Sequence, residues 1–347
     1  MAKKPTSPSR EVARQTSPTA GGERMDKRAL IVGIDKYQHM PTLTGCVADA
    51  SAMQAVLECH EDGSTNYDCR ILTNGSGPAI TRELLRSECH RLFDNFDGHV
   101  LFHFSGHGTT TRAGGILVTH DGTQGEPGLP MEELLELAQA SNAKTTLLII
   151  DCCHADLAGD PFILQGCGSS QNQAYIPEGV TILAASRKTE SAYEAAGHGV
   201  FTKLVLGALS GGGADVRGRV SAASIYAYVE QALGPWDQRP LYKSYSDHLP
   251  PVRFCKASVP EELLRELPKL FPKQDSQAFM DPTYEYTHPT ANSEHVEIFK
   301  KFKELRNAHL LATQAGKDLF FIALEGGWVK LTPLGQFYWT LASRRLI

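Results

Sequence analysis

The sequence predicts an α/β fold, a mostly parallel sheet flanked by helices on both faces, followed by a small C-terminal α+β module. Three observations carry that prediction. Short apolar runs rich in β-branched or aromatic residues recur at 28–34, 99–104, 145–150 and 180–185, each with the length of an interior strand. Segments with apolar residues at helical spacing alternate with them, as a sheet covered on both faces requires. Two of the runs end in reactive side chains: 99–104 leads into Ser105-Gly106-His107-Gly108, and 145–150 into Asp151-Cys152-Cys153-His154. In open α/β sheets, chemistry gathers beyond the carboxyl ends of the strands.

Taken in order, residues 1–26 mix Ser, Thr, Pro, Gly and basic side chains without apolar periodicity, which predicts a flexible arm. Residues 28–34 form the first strand and 35–44 a loop. Val47, Ala50, Met53, Val56 and Leu57 place an amphipathic helix over 47–59. A short strand follows at 68–72, and Thr81 is placed to cap a helix over 82–93. After the strand that delivers His107, residues 115–118 give a further strand and 130–140 a helix with proline in its first turn. Residues 155–178, rich in Gly, Ser, Gln and Asn, form a long loop. Helices are expected over 200–209 and 221–233, and 240–254 closes a domain spanning 27–255. Residues 256–292 read as a linker region that includes a helix over 259–270. In the module 293–347 we expect a helix over 293–315, strands 320–324 and 327–331 paired as a hairpin, and a final helix over 332–342.

Composition narrows the class. A chain of 347 residues with 41% hydrophobic and 21% charged residues buries a substantial core, and a net charge of -5 argues against nucleic acid or a membrane surface as the partner. No apolar run approaches the roughly 20 residues of a spanning helix, and no signal-peptide core is present. We therefore expect a cytoplasmic protein. The eight cysteines show no repeated spacing and no C-x-x-C pair, which predicts reduced thiols and no structural zinc.

The chemistry lies in the two strand ends. A thiol of ordinary pKa is only a small fraction thiolate near neutral pH and needs a neighbouring base, which His107 can supply. Ser105, Gly106 and Gly108 leave room for a substrate backbone, and the N–H of Gly108 can face a developing oxyanion. Cys152 and Cys153 face opposite ways along a strand, and periodicity does not choose between them.

Together, Ser105-Gly106-His107-Gly108 and Asp151-Cys152-Cys153-His154 resemble the caspase and metacaspase cysteine peptidases, of the prokaryotic caspase-like type. Residues 29–34, 43–50, 184–186 with Glu194, and Gly199-Val200-Phe201-Thr202 follow in the same order. The resemblance implies Cys153 as nucleophile with Cys152 its buried neighbour, His107 as general acid/base, and the N–H groups of Gly108 and Cys153 as oxyanion hole. It implies that Asp49 and Asp151 form the acidic floor of the S1 pocket, so that protein substrates carry Arg or Lys at P1; otherwise they are a helix N-terminal residue and a strand-end cap. Where metacaspases continue Cys-His-Ser-Gly, this chain has Cys153-His154-Ala155-Asp156, which alters the adjoining loop. No Lys or Arg falls in 155–178, so any self-cleavage by a basic-P1 enzyme would fall elsewhere, at Arg10, Arg14, Arg24, Arg187/Lys188, Arg217 or Arg219; the alternatives are an enzyme that works uncut and one that is cut by an upstream protease or activator. No cofactor is required by the sequence. The resemblance admits Ca²⁺, with Asp121, Glu132, Glu133, Asp156 and Asp160 as candidates, although they lack the alternating spacing of a calcium loop. It further suits a regulated protease of prokaryotic defence or cell death. The alternative is a catalytically silent scaffold or adaptor acting through its C-terminal module. That module resembles a winged helix in outline. Lys300, Lys301, Lys303, Arg306, Lys330, Arg344 and Arg345 are diluted by acidic neighbours, so a regulatory or docking role is expected rather than nucleic-acid binding.

Overall fold

Side chains alternate across one six-stranded sheet, and that alternation builds two separate cores. The computed structural model describes residues 26–75, 78–111, 114–152, 176–185, 194–195, 198–233, 240–247 and 250–347. The chain runs β1 (Lys27–Gly33), α1 (Cys46–Leu57), β2 (Asp68–Thr73), α2 (Arg82–Phe93), β3 (His99–Ser105), β4 (Gly108–Thr111), β5 (Gly114–Val118), β6 (Gly128–Pro130), α3 (Met131–Ala140), β7 (Thr145–Asp151) and β8 (Val180–Ala184). It continues through β9 (Glu194–Ala195), β10 (His198–Gly199), α4 (Val200–Gly207), a short π-turn, β11 (Arg219–Val220), α5 (Ala222–Leu233), β12 (Leu241–Tyr245) and β13 (Arg253–Phe254). The sheet order is β12-β8-β7-β3-β1-β2, parallel throughout except for β12, which pairs antiparallel at the edge. β4, β5 and β6 form a small antiparallel sheet just beyond the end of β3.

Even positions of β3, Val100, Phe102 and Phe104, join Leu30, Val32, Leu148 and Ile150 against α2 and α3. On the opposite face Leu101, Ile31, Leu147 and Ile149 meet α1, α4 and α5. Interior strands buried on both faces read as continuous apolar runs, which is why their positions are close to those expected. The Thr81 hydroxyl accepts from the N–H of Leu84, the cap expected for α2.

The C-terminal part departs from expectation. It comprises α6 (Glu261–Leu270), β14 (Gln277–Met280), α7 (Ser293–Asn307), β15 (Leu311–Thr313), α8 (Leu319–Glu325), β16 (Gly327–Leu331) and α9 (Pro333–Ser343). Residues 256–292 are not a linker: Leu263, Leu264, Leu267, Phe271 and Met280 share one core with Phe299, Phe302, Leu305, Val329 and Tyr338. The segment expected as strand 320–324 is helix α8, because the Asp318 carboxylate accepts from the N–H of Phe320 and Leu319, Ile322 and Ala323 are buried at i, i+3 and i+4. β16 therefore pairs with β14 and β15 instead of forming a hairpin with its predecessor. Helix α7 stops at Asn307 rather than near 315, where His309 takes a left-handed φ of 58° and the N–H of Leu310 reaches the Leu305 carbonyl. Several basic side chains of this part have local partners: Lys300 pairs with Glu297, Lys301 with Glu266, and Arg306 with Asp318.

Val216, in the loop before β11, inserts into this third core, and Arg217 pairs with Glu261 at 3.2 Å. Arg219 pairs with Asp215. These two arginines, expected as self-cleavage sites, are thus tied down at the junction; Arg10, Arg14, Arg24, Arg187 and Lys188 lie outside the described residues. No helix among the described residues is long and apolar enough to cross a membrane.

Candidate active site

The site begins where glycine lets α1 close on the end of β1. A Cβ on Gly33 would stand 2.2 Å from the Cys46 carbonyl, so only glycine admits the first turn of α1 this close. That approach buries Asp49 at 1% exposure against the end of β3, where its Oδ2 accepts from the Ser105 hydroxyl at 3.1 Å and from the N–H of Gly199 at 3.3 Å. Ser105 is also the register partner of Asp151 across β3 and β7. Asp151, 2% exposed, accepts on Oδ2 from the N–H of Thr202 at 3.2 Å and from its hydroxyl at 2.8 Å. Both carboxylates therefore lie beside Ser105 and take N–H donors from the start of α4, where orphan amides and the helix dipole favour negative charge.

Cys46 belongs to the same cluster. Burial pushes its thiol pKa up, and the neighbouring Asp35, Asp151 and Asp49 charges push the same way against an opposing Ser105 hydrogen bond, so the thiol stays protonated.

His107 follows Ser105 by two residues. Its Nε2 lies 2.8 Å from the Pro41 carbonyl. A carbonyl only accepts, so Nε2 carries the proton and Nδ1 is the basic nitrogen. Gly108 opens β4, opposite Leu117 in β5, and the His107 carbonyl accepts from the N–H of Val118 at 3.0 Å. Cys152 is 1% exposed in the core on the α2/α3 face. Cys153, expected as nucleophile, lies outside the described residues, as do the loop from 155 to 175, Asp156 and Asp160.

Two of the remaining calcium candidates have protein partners. Asp121 Oδ1 accepts from the N–H of Arg82 at 3.0 Å and the Thr119 hydroxyl at 2.8 Å, and Glu133 pairs bidentately with Arg86. Glu132 falls in the first turn of α3, a favourable place for a carboxylate without any metal. Among the described residues no cluster of three His, Cys, Asp or Glu could hold a metal ion.

A caspase-domain profile matches residues 26–252, which takes in every strand of the large sheet and the whole cluster around Ser105. The chain belongs to the caspase-domain family. Members of this family are cysteine peptidases, and its fold is the mostly parallel sheet flanked by helices described above. Two solved structures are similar to this caspase-domain chain. Protein GSU0716 of Geobacter sulfurreducens is 16% identical, with a TM-score of 0.48 over 67% of this chain and 100% of its own. Caspase-1 from Spodoptera frugiperda is 15% identical, with a TM-score of 0.47 over 67% of this chain and 91% of its own. No curated protein sequence matches the chain.

Proposed function

We propose that the protein is a cysteine endopeptidase that cuts protein substrates after Arg or Lys. In this reading Cys153 is the nucleophile and His107 takes its proton on Nδ1. The thiolate attacks the scissile carbonyl, and the N–H groups of Gly108 and Cys153 hold the oxyanion. The imidazolium then protonates the leaving amine, and water hydrolyses the thioester. Cys152 is committed to the core, which leaves the adjacent thiol for this role.

The observation that carries the specificity is the pair Asp49 and Asp151, both almost fully buried and both beside Ser105, two residues before His107. Carboxylates so placed attract a guanidinium or ammonium group and repel an aspartate side chain.

The test is labelling with an arginyl peptide chloromethylketone, followed by a peptide-library cleavage profile with calcium and with chelator. Labelling that is lost in Cys153→Ala, with Arg or Lys dominant at P1, is the expected result. A profile dominated by Asp at P1 would remove Asp49 and Asp151 as the pocket floor. No labelling in either condition would favour the scaffold reading.

A further inference from the structure

The turn that carries His107 leans on a tyrosine outside the catalytic motifs. Tyr37 sits in the loop after β1, partly buried against the core on the α2/α3 face. Its hydroxyl stands between two backbone groups: the N–H of His107 donates to it at 2.8 Å, and it donates to the Ile34 carbonyl at 3.0 Å. Ile34, itself fully buried, donates its N–H to the Ser105 carbonyl at 3.0 Å. One hydroxyl, accepting and donating at once, thus ties the turn after β3 to the end of β1. Burial pushes the phenol pKa up, so the proton it donates is retained. The ring also lies against the imidazole, with centroids 4.7 Å apart and planes tilted by 54°.

Gly106 supplies independent support. A Cβ there would stand 2.7 Å from the Tyr37 oxygen and 2.9 Å from the tip of the Phe104 ring. The hydroxyl reaches the turn only because residue 106 has no side chain. Pro41, which accepts from His107 Nε2, belongs to the same loop as Tyr37. The loop therefore grips His107 at its backbone, at its ring face and at one ring nitrogen.

We propose that Tyr37 is a positioning residue for His107, its hydroxyl fixing the turn and its ring the imidazole, so that Nε2–H stays on Pro41 and Nδ1 handles the proton. The kinetic consequence rests on the peptidase reading; the positioning does not.

The experiment uses the full-length protein. In the wild type, the His107 amide should exchange with solvent at least about 100-fold more slowly than in an unstructured peptide; exchange at the peptide rate would overturn the proposal without any variant having to fold. In Tyr37→Phe, kcat on an arginyl fluorogenic peptide should fall by about 10- to 100-fold with KM within about twofold. The ¹⁵N imidazole spectrum of His107 should at the same time lose its single Nε2–H tautomer signature. Unchanged kcat and tautomer, or a rise in KM alone, would sink the idea. Gly106→Ala, which displaces the hydroxyl while keeping the tyrosine, should repeat the kcat loss, and the double variant should lose less than the product of the two single losses. Fully multiplicative losses would count against a shared mechanism. If the wild type cleaves no Arg or Lys substrate, the peptidase reading fails, and the exchange and tautomer results still decide the role of Tyr37.

Discussion

Acid should weaken this protein through one buried imidazole. His103 lies in the middle of β3, 0% exposed, opposite Ile31 in β1 and Ile149 in β7. Among the described residues neither of its ring nitrogens has a hydrogen-bond partner. Burial lowers its pKa from 6.5 to about 4, with the Asp151 charge opposing only in part. As pH falls below 6.5 the unfolded chain takes up a proton here, while the folded chain does not until pH approaches 4. Stability linked to this group is therefore complete above 6.5 and is lost as pH falls through 4. The full difference is worth about 3 kcal/mol, of which about 2 kcal/mol disappears between pH 7 and pH 5. The assay is urea denaturation at both pH values for the wild type and for His103→Leu, whose apolar side chain of similar size leaves no ring nitrogen unsatisfied. The variant should lose about 2 kcal/mol less than the wild type over that interval, other titrating groups cancelling in the comparison. Equal losses in the two proteins would refute the argument.

Other expectations concern the Ser105 cluster and its support. Asp49→Asn and Asp151→Asn should each lower kcat/KM on Arg and Lys substrates by about 10- to 100-fold, the worth of one charge-assisted contact, as measured by initial rates. Thr202→Val removes the hydroxyl that reaches Asp151 at 2.8 Å. It should cost about 1–3 kcal/mol in a denaturation experiment and lower kcat/KM on the same substrates. Asp121→Ala deprives the first N–H of α2 and the Thr119 hydroxyl of their acceptor, and should cost about 1–2 kcal/mol by the same measurement, whether calcium or chelator is present.

The large sheet was legible in the sequence because its interior strands are buried on both faces and read as apolar runs. Helix α2 was legible from Thr81, a local signal for a local event. Residues 320–324 were not: Phe-Phe-Ile-Ala-Leu suits a strand as well as a short helix, and the choice was made by the Asp318 cap and by distant partners such as Phe302. The stretch 272–292 is polar enough to read as a linker, yet Glu285 is 2% exposed and Met280, 3% exposed, shares a core with residues far along the chain such as Phe299 and Val329. The same division holds at the site. His107, Asp49 and Asp151 stand out by their neighbours in sequence. The contacts of Ser105, Thr202, Tyr37 and Pro41 join residues 51 to 70 positions apart and have no local signature.

The caspase profile ends at 252, but folding does not respect that border. A recombinant fragment stopping at residue 255 would leave Val216 facing water, forfeiting about 1.5–3 kcal/mol of burial. It would also strip Arg217 of Glu261, a half-exposed pair worth at most about 1 kcal/mol. Through the short π-turn, the segment so loosened is continuous with the far end of α4, whose opening turn holds Asp151 through Thr202. A fragment cut free of its tail would thus keep the caspase domain but leave the Asp151 side of the Ser105 cluster less firmly braced.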